Sequence, residues 1–125
     1  MNVVDSSAWL EYFGAGANAG FFAPAIEDVG NLAVPTLSIH EVFKRIMQQR
    51  TEDDALQALA VMQQGVVVEL DARLAVSAAK LSLDHKLPMA DSVMLATARA
   101  CDAVLWTQDE HFRGLPGVRY RPAHK

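Results

Sequence analysis

Short apolar runs alternate along the chain with longer stretches in which apolar residues recur every three or four positions. The short runs Met1–Val4, Asn31–Val34, Val66–Glu69 and Ala103–Trp106 predict strands. Between them, Ser6–Phe13 has helical spacing, with Trp9, Leu10 and Phe13 on its buried side, and Ser38–Gln49 carries Ile39, Val42, Phe43 and Ile46 on one face. A further helix opens at Thr51 with Glu52, Asp53 and Asp54, acids suited to an amino-terminal dipole. It runs through Leu56, Leu59, Ala60 and Met62 to a stop at Gly65. Asp71 is placed to cap a helix reaching Leu83, and after the loop Asp84–Pro88 another helix starts near Met89 and ends around Cys101. The glycine-rich segment Gly14–Gly20 predicts a loop, followed by a helix over Phe21–Asp28 despite Pro24, and Val118–Tyr120 is a candidate last strand. Strands alternating with helices predict an α/β fold: a mostly parallel central sheet flanked by helices on both faces.

Four acids stand where an apolar run ends or a helical pattern begins: Asp5 after Val3-Val4, Glu41 early in the Ser38 helix, Asp91 in the first turn after Pro88, and Asp109 after Trp106-Thr107-Gln108. Ligands of open α/β sheets bind outside the carboxyl ends of the strands, so acids at these positions converge although they are distant in sequence. Converging carboxylates repel and call for a cation. Each acid also has a purely structural reading. Asp5 and Asp109 can cap the turns that follow them, Asp91 can answer a helix dipole, and Ser38-Ile39-His40-Glu41 fits the capping box in which the glutamate bonds back to the cap backbone. Thr107 can support a site carboxylate through its hydroxyl or simply be a β-branched strand residue.

A chain of 125 residues, 51% hydrophobic, predicts one domain over 1–125 with a real core. No apolar run approaches the length of a membrane span, and Asp5 interrupts an apolar start that no basic segment precedes, so the expectation is a soluble cytoplasmic protein without membrane association. The single cysteine, Cys101, reads as a small buried hydrophobe at a helix end. Trp9 and Trp106 read as core. His40, His85, His111 and His124 show no zinc spacing, and His111 beside Phe112 reads as a packing and hydrogen-bonding residue. The net charge of -4 argues against generic nucleic-acid affinity, yet without the four candidate acids the remaining acids and bases balance at eleven each. Lys44, Arg45 and Arg50 follow Glu41, and Arg113, Arg119, Arg121 and Lys125 crowd the carboxyl end, positions from which they could hold phosphates.

Val3-Val4-Asp5-Ser6-Ser7, Glu41, the alanine-rich helix opened by Asp91, and Thr107-Gln108-Asp109 with His111-Phe112 come in an order and spacing that resemble the PIN-domain family, and within it the VapC-type toxin ribonucleases of toxin–antitoxin pairs. The resemblance covers essentially the whole length. It implies an endoribonuclease dependent on Mg²⁺ or Mn²⁺, with Asp5, Glu41, Asp91 and Asp109 as the acidic constellation and Thr107, with Ser6 or Ser7, in support. Asp5 and Asp91 would be direct ligands, and Glu41 and Asp109 would orient water or hold a second ion. Such an ion would lower the pKa of a bound water, giving a nucleophile, and stabilise charge on the scissile phosphate. The resemblance further implies a VapB-type antitoxin as partner, RNA as substrate and a homodimer using the apolar faces of the helices between Ser38 and Gln63. The non-enzymatic alternative is a catalytically silent PIN module that binds a partner or RNA. A response-regulator domain fits poorly, because Ser6-Ser7 follow Asp5 and Gln108 follows Thr107. An aspartyl-phosphate phosphatase fits no better, because position 7 is serine.

Overall fold

In a computed structural model that describes residues 1–124, the chain runs β1 (Asn2–Val4), α1 (Ser6–Phe13), α2 (Ala19–Glu27), β2 (Leu32–Pro35), α3 (Thr36–Gln49), α4 (Glu52–Met62), β3 (Val66–Val68), α5 (Ala72–His85), α6 (Met89–Ala100), β4 (Val104–Thr107) and β5 (Val118–Tyr120). Short 3₁₀ turns at Val29–Asn31 and Glu110–Phe112 precede β2 and follow β4. The five strands form one sheet in the order β3-β2-β1-β4-β5, and every pairing is parallel. The candidate strand Val118–Tyr120 therefore forms, as the edge strand beside β4. Among the described residues no helix is long and apolar enough to cross a membrane.

The two-residue period of the strands divides the core. Val4, Leu32, Val34 and Trp106 point to one face, where they pack with Trp9 of α1, Phe22 and Ile26 of α2, Val42 and Ile46 of α3 and Ala55, Ala58 and Met62 of α4. Val3, Ala33 and Leu105 point to the other, against Met94, Leu95 and Ala98 of α6 and Phe112, with α5 laid over α6 through Leu74, Ala78, Val93 and Ala96. Parallel strands buried on both faces lack polar alternation, which is why the runs look uniformly apolar. Trp9 is fully buried and stacks on Phe13 with ring centroids 5.5 Å apart, as its apolar setting predicts.

Three boundaries differ from expectation. Helix α3 begins at Thr36, not Ser38, because Pro35 ends β2 in an extended conformation (φ -62°, ψ 138°) and leads straight into the helix without a side-chain cap. Ser38 is thus an interior, fully buried residue whose hydroxyl meets Met94 Sδ at 3.2 Å. Helix α2 takes in Ala19 and Gly20, shortening the glycine-rich loop, and ends at Glu27; Pro24 sits on its exposed side. Helix α5 extends to His85 and stops at Lys86, which adopts a left-handed conformation (φ 55°). Cys101 is only partly buried, at the carboxyl end of α6.

Gly65 lies where the chain turns from α4 into β3. A Cβ there would come within 2.9 Å of both the Leu32 carbonyl oxygen and Val34 Cγ2. One of those atoms is backbone of β2, so the strand itself would have to move. Gly65→Ala is expected to destabilise the fold by about 1–3 kcal/mol, read as a lower urea midpoint at unchanged slope; an unchanged midpoint would show that β2 yields freely.

Candidate metal centre

Strand β1 is central. The chain leaves it toward β2 and β3 on one side and returns to β4 and β5 on the other, so the sheet reverses its winding between β1 and β4. At such a switch point the loops from the two strand ends part and open a crevice. Asp5 follows β1, and Thr107 ends β4 beside it.

Asp5 is almost wholly buried, at 3% exposure. Its Oδ1 accepts the Ala8 amide at 2.9 Å and the Ser7 hydroxyl at 2.8 Å, which makes Asp5 the cap of α1. Its Oδ2 accepts the Thr107 hydroxyl at 2.5 Å. The capping reading of Asp5 is therefore right but incomplete, since the second oxygen faces the switch point. Thr107, itself fully buried, accepts the Asp109 amide at 2.9 Å on the same Oγ1 and so ties Asp5 to Asp109. Asp109 in turn caps the 3₁₀ turn, taking the His111 amide on Oδ1 at 2.9 Å.

Asp91 enters from the other side, in the first turn of α6. It caps nothing. His111 bridges it to Asp109: the ring Nδ1 lies 2.8 Å from Asp91 Oδ2 and 3.1 Å from Asp109 Oδ1. One donor atom each from Asp91, Asp109 and His111 falls within a span of 4.8 Å.

Glu41 joins at one remove. Because α3 starts two residues earlier than expected, Ser38 offers no cap and the capping box does not form. The Glu41 carboxylate instead accepts the hydroxyl of Ser6, the residue after Asp5, at 2.6 Å. Among the described residues the close donor cluster is Asp91, Asp109 and His111, and neither Asp5 nor Glu41 places a donor atom in it. Asp5, Thr107, Asp109, His111 and Asp91 are bonded in series, and Glu41 is attached through Ser6.

The electrostatics follow from burial first and from neighbouring charge second. Burial pushes the Asp5 carboxyl up from 3.8 to about 6 against the lowering effect of its hydrogen bonds, and the charge of Asp109 adds to the rise. Asp91 is pushed up to about 6 by burial and then by Asp109, with His111 pulling the other way. His111 is raised above its ordinary value, chiefly by its hydrogen bond to Asp91 and by the charge of Asp109. Carboxylates this close repel one another, which a cation among them would relieve, and their oxygens are the hard donors that Mg²⁺ and Mn²⁺ take. The donor set fits such an ion. Asp5, with two bonds to Oδ1 and one to Oδ2, has one lone-pair direction on Oδ2 left for a single direct bond.

Sequence reasoning missed His111 as a member of this cluster. It is not a packing residue, since its side chain is 54% exposed, although it does make the expected hydrogen bonds. The i, i+2 spacing from Asp109 across a 3₁₀ turn was the available signal. Two expected phosphate holders are otherwise engaged: Arg119 lies over the Trp106 ring at 4.9 Å and Arg121 over Phe21 at 4.7 Å. Lys125 lies outside the described residues. Lys44 and Arg45, by contrast, line a groove of about 380 Å³ that starts at Glu41 and runs between α3 and the start of α6, past Met89 and Ala90.

The profile of the PIN domain family matches residues 3–118. No curated protein sequence matches the chain. Among solved structures, the fold is similar to a toxin–antitoxin complex from Klebsiella pneumoniae, at 19% identity and a TM-score of 0.81, covering 95% of this chain and 96% of that one. It is similar also to the Mycobacterium tuberculosis toxin VapC20, which cleaves the sarcin–ricin loop, at 17% identity and a TM-score of 0.77, with 93% and 95% covered. A DNA-bound VapBC complex from Salmonella typhimurium gives 12% identity and a TM-score of 0.71, covering 97% and 96%. At these identities the likeness is one of fold.

Proposed function

Because the chain belongs to the PIN domain family, we propose that it is a metal-dependent endoribonuclease acting as the toxin of a toxin–antitoxin pair. The observation that carries this reading is the bonded series Asp5–Thr107–Asp109–His111–Asp91 at the switch point of a parallel sheet. When bound, Mg²⁺ or Mn²⁺ supplies a more acidic water as nucleophile and positive charge to the scissile phosphate. The residues of the chain do the positioning. Ser7, the Ala8 amide and Thr107 fix both oxygens of Asp5, so its carboxylate needs no reorganisation to serve as a ligand. Asp91 is the second direct ligand. Glu41, held by Ser6, and Asp109, held by the Thr107 hydroxyl through its amide, orient water or hold a second ion. The amino terminus of α1 at Asp5 and that of α6 near Asp91 add partial positive charge that eases the crowding.

Cleavage of RNA by the purified chain in Mn²⁺ or Mg²⁺, silenced by a chelator, tests the reading. Binding of RNA without cleavage under any metal would support the catalytically silent alternative. The groove bearing Lys44 and Arg45 offers a path for the phosphates next to Glu41, and Arg113 stands exposed just after the His111 turn. Arg45→Ala and Arg113→Ala are each expected to weaken RNA binding and to lower the salt slope by about one, with metal binding unchanged. Unchanged binding in both would move the RNA path elsewhere.

The similarity in fold to toxin–antitoxin complexes supports a VapB-type antitoxin as partner. An arginine from such a partner can satisfy the clustered carboxylates bidentately and silence them. For a homodimer, the outer face of α3 and α4 offers exposed Met47 beside half-buried Ile39, Phe43 and Leu59.

A further inference from the structure

The geometry points to His111 as a nitrogen ligand of the metal centre, making it a mixed oxygen and nitrogen site that selects Mn²⁺ over Mg²⁺. This inference rests on the metallonuclease reading and adds to it a residue that the acidic constellation does not contain. Three facts of placement carry it. The His111 Nδ1 is the ring atom turned toward the acids, 2.8 Å from Asp91 Oδ2 and 3.1 Å from Asp109 Oδ1. One donor atom from each of these three side chains lies within 4.8 Å of the others, a span that a single ion can bridge. And the backbone around the ring is held, because the His111 amide is bonded to Asp109 Oδ1 and the next residue, Phe112, is fully buried among Leu105, Leu95 and Met94.

Coordination asks little of the ring. In the tautomer protonated at Nε2, the Nδ1 lone pair faces Asp91 and Asp109, while the half-exposed ring can leave its other nitrogen to water. An ion held by the two carboxylates would displace the proton shared between Nδ1 and the acids, releasing it to solvent, and take up the freed nitrogen lone pair without moving the turn. Imidazole nitrogen suits first-row transition ions, whereas Mg²⁺ keeps to oxygen ligands and its own waters. A third ligand of this type therefore favours Mn²⁺ selectively. A histidine that only oriented Asp91 from outside would strengthen the binding of both ions alike.

The test uses the full chain with Mn²⁺ or Mg²⁺ as the only added ligand. Pulsed EPR of the Mn²⁺-loaded wild type is expected to show the ¹⁴N coupling of a directly bound imidazole, and His111→Ala is expected to abolish it, which also excludes the other histidines as its source. By calorimetry, His111→Ala should lose Mn²⁺ affinity by about tenfold or more, the scale of loss of a coordinating or supporting residue, with Mg²⁺ affinity changed far less. Mn²⁺ binding without any ¹⁴N coupling, or equal losses for the two ions, would overturn the ligand role while leaving the metal centre standing. Failure of the wild type to bind either ion would overturn both. Because the ring is exposed, a melting curve of the variant in chelator matching the wild type is expected to accompany these results.

Discussion

In chelator near neutral pH, Asp5→Asn is expected to melt above the wild type. A buried carboxyl moved from 3.8 to about 6 costs the folded state on the order of 3 kcal/mol once it is ionised, and asparagine keeps the neutral shape. For a chain of this length that corresponds to a rise on the order of 10 °C. Asparagine is also as good a helix cap as aspartate, so the bond to the Ala8 amide survives. The sign in pH follows from the same displacement. The folded state holds the Asp5 and Asp91 protons more tightly than the unfolded chain, so the stability they contribute is fully present below about pH 4 and is lost as pH rises through about 6. His111, also raised, loses its contribution in the same direction. The difference in melting temperature between wild type and Asp5→Asn should therefore open between about pH 4 and pH 7. Mn²⁺ should close it by stabilising the wild type logarithmically with concentration while leaving the variant unmoved. A wild type that melts no lower than Asp5→Asn at neutral pH in chelator would mean that burial does not hold the Asp5 carboxyl at the raised value described.

Activity is expected to move the opposite way. Asp5→Asn and Asp91→Asn each remove a proposed ligand and a negative charge, and RNA cleavage should fall about a hundredfold or more, the cost of losing one fixed electrostatic group. In cells without the antitoxin, the same variants should no longer arrest growth. Loss of function with a gain of metal-free stability is a signature that general misfolding cannot imitate, and it identifies the burial of an ionised Asp5 as a cost borne for metal binding.

Much of this was legible in the sequence because strand ends and helix starts leave strong local marks. Val3-Val4 before Asp5 and Leu105-Trp106 before Thr107 announce two parallel strands, and their order with Asp91 at a helix start locates the crevice before any contact is known. Other features depend on the third dimension. Ser38 looks like a helix cap because a serine three residues before a glutamate is the usual signal; Pro35 starts α3 earlier, and the pairing of β2 with β3 up to Pro35 and Val68 fixes where the strand stops. The partner of Glu41 is Ser6, thirty-five residues away, a contact no local pattern contains. His111 was passed over because metal-binding histidines are usually sought in spaced pairs, whereas here a 3₁₀ turn sets a lone ring against two acids from different elements. Arg119 and Arg121 looked like phosphate holders by charge, but β5 stations them over Trp106 and Phe21.

Metal-dependent catalysis at Asp5 is tested by cleavage of a labelled RNA by the purified wild type and by Asp5→Asn across a Mn²⁺ titration, with melting curves of the same samples. The wild type is expected to be silent in chelator and to gain activity with Mn²⁺, while Asp5→Asn stays folded and inactive throughout. A well-folded Asp5→Asn protein that cuts RNA like the wild type would contradict the metal-centre account.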